Sequence, residues 1–252
     1  MQWRGAPLQA LQMPRPWIWV AAAAACYAMV LAGMGGCIGG SSDVAHQGED
    51  ATGWELVEDS EGFRTFVSRV PGSSTLSLRG ETIVDEHIGR LYTAFLNTTS
   101  TLDWVWFLAE VEELPVAATS KVGGWMGGVE YGVLFQRYDM PWPVKDRDLV
   151  LRRSVRLDKR AKKMIATYQS TEHPSRPVTG AAVRAIVHST SWVLTSLGGS
   201  RTAIEFETRT DPRGSLPSAL VSFMQINFPR DTVAGFVKST SGVKVHPVMA
   251  NW

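Results

Sequence analysis

From Val129 to Thr210 the chain reads as one strand after another, and it then closes with a single long amphipathic helix. Segments 129–139, 148–157, 162–170, 181–188, 191–197 and 202–210 carry the period-two alternation or the β-branched apolar runs of strands. They do not alternate with helices, so a parallel sheet with crossover helices is excluded. Over residues 216–240, Leu216, Leu220, Phe223 and Met224 form one stripe, which Val233, Phe236 and Val237 continue. Pro229 interrupts this stretch and is expected to kink or split the helix, because proline removes a backbone donor and clashes with the preceding turn. A sheet and a helix that each bury one apolar face on the other make an α+β domain.

The preceding segment fits the same scheme. Phe63–Val70 and Thr75–Val84 read as strands around a Pro71-Gly72-Ser73-Ser74 turn. Asp85 is read as the cap of a helix in which Ile88, Leu91, Tyr92 and Phe95 fall on one side. Leu102–Glu113, rich in Trp104, Trp106, Phe107 and Leu108, is read as a second short helix. With 252 residues, 44% of them hydrophobic and 19% charged, the chain fills one sizeable core, which excludes disorder and collagen-like repeats. Twenty-five Lys and Arg against 24 Asp and Glu give a net charge of +1, so a nucleic-acid partner has no electrostatic support. A monomer is expected.

The N-terminal region stands apart from this body. Pro16 to Ser42 holds no charged residue, and Trp17–Met34 is apolar throughout, preceded by Arg4 and Arg15. A basic start, an apolar stretch and small residues beyond it describe an export signal. A transmembrane anchor is the competing reading, though Ala and Gly make the stretch weakly hydrophobic. Cys26 and Cys37 are the two cysteines, so the body after Ile38 has no disulfide and no Cys-ligated metal. Met34-Gly35-Gly36-Cys37 resembles a bacterial lipobox, with Met34 where Leu is usual and Gly35 where Ala or Ser is usual. The alternative is a stray cysteine beside an ordinary cleavage site. Met13 would serve as a start that places Arg15 directly before the apolar run. Cleavage before Cys37 leaves 23 basic against 24 acidic residues. Residues 1–37 are thus read as export signal with possible lipobox, 38–53 as a flexible tether, and 54–252 as the folded domain, exported and either membrane-tethered or secreted.

At 140–148 the chain reads MPWPVKDRD and runs into the strand LVLRRSVRL, the prolines holding Trp142 in a structured loop. His173-Pro174, then Gly180 with Val183-Arg184, then Asp211-Pro212-Arg213-Gly214-Ser215-Leu216-Pro217 follow in order. In this order the pieces resemble the StAR-related lipid-transfer (START) domain, above all its bacterial and phosphatidylcholine-transfer-like members. The resemblance covers Trp54 to the C-terminus. It implies a helix-grip fold, in which a curved antiparallel sheet and the C-terminal helix enclose an apolar cavity for one lipid or other hydrophobic molecule, without a cofactor. Arg213 stands where the family has a second Gly, and Ala219 and Ser222 where it has Trp and Asn. Those departures put ligand identity in question more than the fold.

Arg153 shares a strand face with Leu149, Leu151, Val155 and Leu157, so its charge sits on an apolar surface. It is a candidate ligand anchor; a structural ion pair or a rim position reaching water is the alternative. Arg184 is a second candidate, and Trp142 belongs either to the core or to a lid over the cavity mouth. Asp146, Arg147 and Asp148 read as a loop-pinning cluster rather than an acid/base set. Gly123–Gly128 reads as a hairpin tip whose Trp125 and Met126 either dip into a bilayer or fold back onto the sheet. The five histidines show no zinc spacing, and no G-x-S-x-G elbow is present. Lipid binding and transfer at a membrane surface is the expected function. A ligand-dependent sensor or adaptor, and a cyclase- or hydrolase-like enzyme using the same cavity, are the competitors.

Overall fold

The computed structural model describes residues 53–69, 75–116, 129–216 and 218–252. The export stretch, Cys26, Cys37, the tether, the Pro71 turn and the Trp125–Met126 tip lie outside these residues. Among the described residues the strands form one ten-stranded sheet. They are β1 (Glu55–Ser60), β2 (Phe63–Arg69), β3 (Leu76–Val84), β4 (Leu108–Leu114), β5 (Val129–Tyr138), β6 (Arg147–Asp158), β7 (Lys163–Ser170), β8 (Val183–Arg184), β9 (Ile186–Ser196) and β10 (Thr202–Asp211). Their order is β1-β2-β3-β10-β9-β7-β6-β5-β4, antiparallel throughout, with β8 alone running parallel beside β6. The chain must cross from β3 to the opposite edge at β4. It does so through α1 (Ile88–Leu96) and a 3-10 turn at Thr98–Asp103. The second helix, α2 (Ser218–Lys238), follows β10.

Both helices cover one face of the sheet. Phe95 of α1 and Phe236 of α2 meet edge to face at 5.9 Å, and Trp104 and Trp192 close around Phe236 at 5.5 and 5.1 Å. Leu91, Met164, Leu194, Ile204 and Val233 complete this core. The fold is therefore α+β, with a multi-stranded antiparallel sheet and a C-terminal helix in a helix-grip-like arrangement.

Four local readings need correction. The cap of α1 is His87, not Asp85: its Nδ1 accepts the Gly89 N–H at 3.0 Å. Leu102–Glu113 is not a helix, since β4 begins at Leu108 and pairs with β5 from Leu108↔Tyr138 to Leu114↔Val133. Residues 181–197 are not two similar strands but a two-residue β8 and an unbroken β9. Of the kink or split expected at Pro229, the split does not occur, since α2 runs unbroken through it. β1 was not expected at all; it joins β2 through a two-residue turn in which Glu61 and Gly62 both have positive φ, 51° and 75°.

Candidate functional site

Strand register arranges the covered face in rows. Leu157, Met164, Leu194 and Ile204 form one row, and Val155, Ala166, Trp192 and Phe206 the next. Both are apolar and packed under the helices. The third row changes character: Arg153, Tyr168, Thr190 and Thr208 stand side by side on β6, β7, β9 and β10. Beyond it lies a second apolar patch of Leu149, Leu151, Ala185 and Val187.

A cavity of about 540 Å³ opens over the third row and this patch, with Phe95, Trp104 and Val105 at one wall and Phe228 and Thr232 of α2 at another. Its size is that of small-molecule sites in general. Its walls are not dry aliphatic surface alone, because Thr98, Gln136, Tyr138, Tyr168, Thr190, Thr208 and Thr210 also line it.

Arg153 is buried and lines this cavity, on the face that holds Leu149 and Leu151. Its Nη1 donates to Thr98 Oγ1 at 3.1 Å, and its Nη2 meets Glu113 Oε1 at 3.4 Å. The path to β4 is open because Gly132 stands opposite Arg153 on β5; a Cβ there would already touch Nη2 at 3.5 Å. The guanidinium also binds the Tyr168 hydroxyl. Burial pushes the Tyr168 phenol up to about 12, against the pull of Arg153, so it stays a neutral donor and acceptor at physiological pH. Tyr138, raised by burial and by Tyr168, donates to Gln136 Oε1 at 2.9 Å.

The loop between β5 and β6 frames one end of the cavity. Arg147 donates from Nε to the Pro212 carbonyl at 3.2 Å and from Nη2 to the Arg213 carbonyl at 2.9 Å, and Nη1 reaches the Lys145 carbonyl. It thereby ties this loop to the segment that leads into α2. Burial lowers the Arg147 pKa, with Asp146 opposing. Asp146 accepts from the Met140 N–H and from Arg137, both at 3.1 Å. This cluster pins loops.

The other two candidates are not part of the cavity lining. Arg184 points away from it, since Ala185 and Val187 take the inward positions, and its guanidinium grips Asp148 with paired bonds of 2.8 and 3.0 Å. Trp142 is 81% exposed in a Pro141–Val144 turn, ahead of a cis bond to Pro143. Tyr168, Thr190, Thr208 and Glu113 were missed by sequence reading. Thr208 was findable, because it shares a β10 face with Ile204 and Phe206. Among the described residues no group of three or more His, Cys, Asp or Glu side chains is placed to hold a metal ion.

A family model described as "START domain" matches residues 43–238. The chain is 24% identical over 185 residues to an uncharacterised protein of Pseudomonas aeruginosa, covering 73% of this chain and 85% of that one. It is 33% identical over 94 residues to the START domain-containing protein 10 of Homo sapiens, covering 37% of this chain and 32% of that protein. Among solved structures, human STARD10 superposes with a TM-score of 0.64 at 20% identity, covering 77% of this chain and 75% of that one. A STAR-related lipid transfer protein fragment from Xanthomonas axonopodis gives 0.60 at 20% identity, covering 75% and 99%. At these identities the structures show a shared fold.

Proposed function

The chain belongs to the START-domain family, and from that premise we propose that it binds one lipid or other hydrophobic molecule in the cavity under α2 and carries it between membranes. The observation that carries this reading is the cavity itself: about 540 Å³ between sheet and helix, walled by Leu149, Leu151, Trp104, Trp192 and Phe228. Apolar ligand surface moved from water into such a site contributes roughly 25 cal/mol per Å². In this reading the protein is a carrier that needs no cofactor and works as a monomer. Within the family it stands with the bacterial, phosphatidylcholine-transfer-like members, supported by the PWPVKDRD motif. That is a matter of descent and leaves the ligand open.

Arg153 would meet a polar group of the ligand. Trp142, exposed at the cavity's loop end, would rest at a membrane surface, as interfacial tryptophans do. Residues 1–37 would direct export, and a lipidated Cys37 would hold the domain at a membrane. If so, the expressed protein fractionates with membranes and the Cys37→Ala form does not mature. A mature N-terminus beyond Gly40 removes the lipid anchor and leaves export.

The test of binding is mass spectrometry of an organic extract of the purified chain, followed by a transfer assay between donor and acceptor vesicles. A stoichiometric hydrophobic compound that moves between vesicles is the expected result. A bound compound that never moves makes the protein a sensor or adaptor, and one that is chemically turned over makes it an enzyme.

A further inference from the structure

The row Arg153, Tyr168, Thr190 and Thr208 is the unexplained feature of the cavity. A carrier for a hydrocarbon tail needs no hydroxyls midway along its wall, yet here four polar side chains cross four adjacent strands between two apolar surfaces. Adjacent strands lie about 4.8 Å apart, so the row spans roughly 14 Å. Its threonines are hydrogen-bonded to one another, Thr190 to Thr208 at 2.7 Å and Thr208 to Thr210 at 3.2 Å. A hydroxyl has one donor and two acceptor positions, so a chain of three retains capacity for a ligand oxygen. Tyr168 is held neutral by burial, as a donor or acceptor.

We infer that the ligand is an oxygenated amphiphile, laid across the strands so that its oxygen atoms meet the Tyr168–Thr190–Thr208 row. This rests on the proposed lipid-binding role and deepens it.

The probes are lauric acid and ω-hydroxylauric acid, each competing with a fluorescent fatty acid bound to the full chain. The hydroxylated acid is expected to displace the reporter about tenfold better than lauric acid, the effect of one added hydrogen bond. Thr190→Val with Thr208→Val keeps side-chain shape and strand preference while removing both hydroxyls. It should abolish the tenfold preference. Thr190→Ser with Thr208→Ser should restore the preference. Equal affinity for the two acids overturns the inference while the lipid-binding role stands. If the fluorescent fatty acid does not bind and none of the probes protects the chain against thermal unfolding, the lipid-binding role fails and the inference with it.

Discussion

The Arg153–Glu113 pair is lopsided, and the lopsidedness decides what each residue does for stability. The Arg153 side chain is 6% exposed, whereas that of Glu113 is 57% exposed. Glu113→Ala takes a carboxylate from a guanidinium that water scarcely reaches, whereas Arg153→Met leaves a carboxylate that water already solvates. Removing one partner of a fully buried pair costs about 3–5 kcal/mol, and exposed pairs cost under about 1. Glu113→Ala should therefore cost about 2 kcal/mol. Arg153→Met also takes the donor from Thr98 and from the buried Tyr168 hydroxyl, so it should cost at least as much. Urea unfolding checks the order; a smaller loss for Arg153→Met would show that those two bonds contribute nothing. Asp231 on α2 makes a pH-dependent case. Burial raises its carboxyl from 3.8 to about 6, with Arg230 opposing and Glu58 adding. Between those values the folded chain keeps a proton that the unfolded chain has lost, so this contribution is full below 3.8 and is lost as pH rises through about 6. Asp231→Asn should thus stabilise the fold at neutral pH by about 1 kcal/mol, after allowance for solvent screening. The gain should vanish near pH 4. A gain that is the same at both pH values would refute the assignment.

At the level of elements, what the sequence made legible was whatever carried a buried period. The α1 stripe of Ile88, Leu91, Tyr92 and Phe95 is entirely core, and the alternation of β3 and β6 reads off directly. The two strands that escaped notice, β1 and β4, are the two edges of the sheet. Each is rich in acidic residues and partly exposed, as edges are, and the Leu, Ala and Glu of β4 favour a helix in isolation. Pairing with β5 overrode that preference. The partner of Arg153 was equally hidden, because Glu113 lies 40 residues away on the strand misread as helix. Pro229 stays inside an unbroken helix for a different reason. A proline inside a helix costs about 3 kcal/mol, but here it packs on Gly80 of β3, where a Cβ would come within 3.1 Å of the proline Cβ and 2.5 Å of Phe63 Cζ. The missing side chain on β3 is what lets the proline turn of α2 sit down on the sheet. Gly80→Ala should force the fully buried Phe63 against its neighbours and destabilise the protein by about 1–3 kcal/mol. Chemical denaturation measures this, and a neutral result would mean that the α2–sheet contact yields at no cost.

Across the whole molecule, the cavity lies between one apolar core, which Phe63, Phe95, Trp192 and Phe236 fill, and a loop end held by polar contacts. In the proposed carrier, a ligand passing the packed side would have to dismantle that core, so exchange is expected at the end where α2 begins. There the closure depends on Arg147, whose guanidinium spans the Lys145, Pro212 and Arg213 carbonyls and so joins the β5–β6 loop to the approach of α2. Charged donors to carbonyls contribute about 1.5–3 kcal/mol each when made, and a carbonyl buried without a donor is costly. Arg147→Met keeps the bulk and removes all three bonds. The sheet and the aromatic core are untouched by the change, so its effect should stay at the loop end, with faster amide exchange in residues 139–146 and 212–216. Ligand exchange should follow the same route. Release of a fluorescent fatty acid to acceptor vesicles should quicken by at least about tenfold, the equivalent of one lost hydrogen bond of about 1.4 kcal/mol in the closed state, and the midpoint of unfolding should fall with the loss of the three bonds. Faster amide exchange with an unchanged release rate would show that the ligand leaves by another path, and the loop end would then be a structural clasp with no part in access.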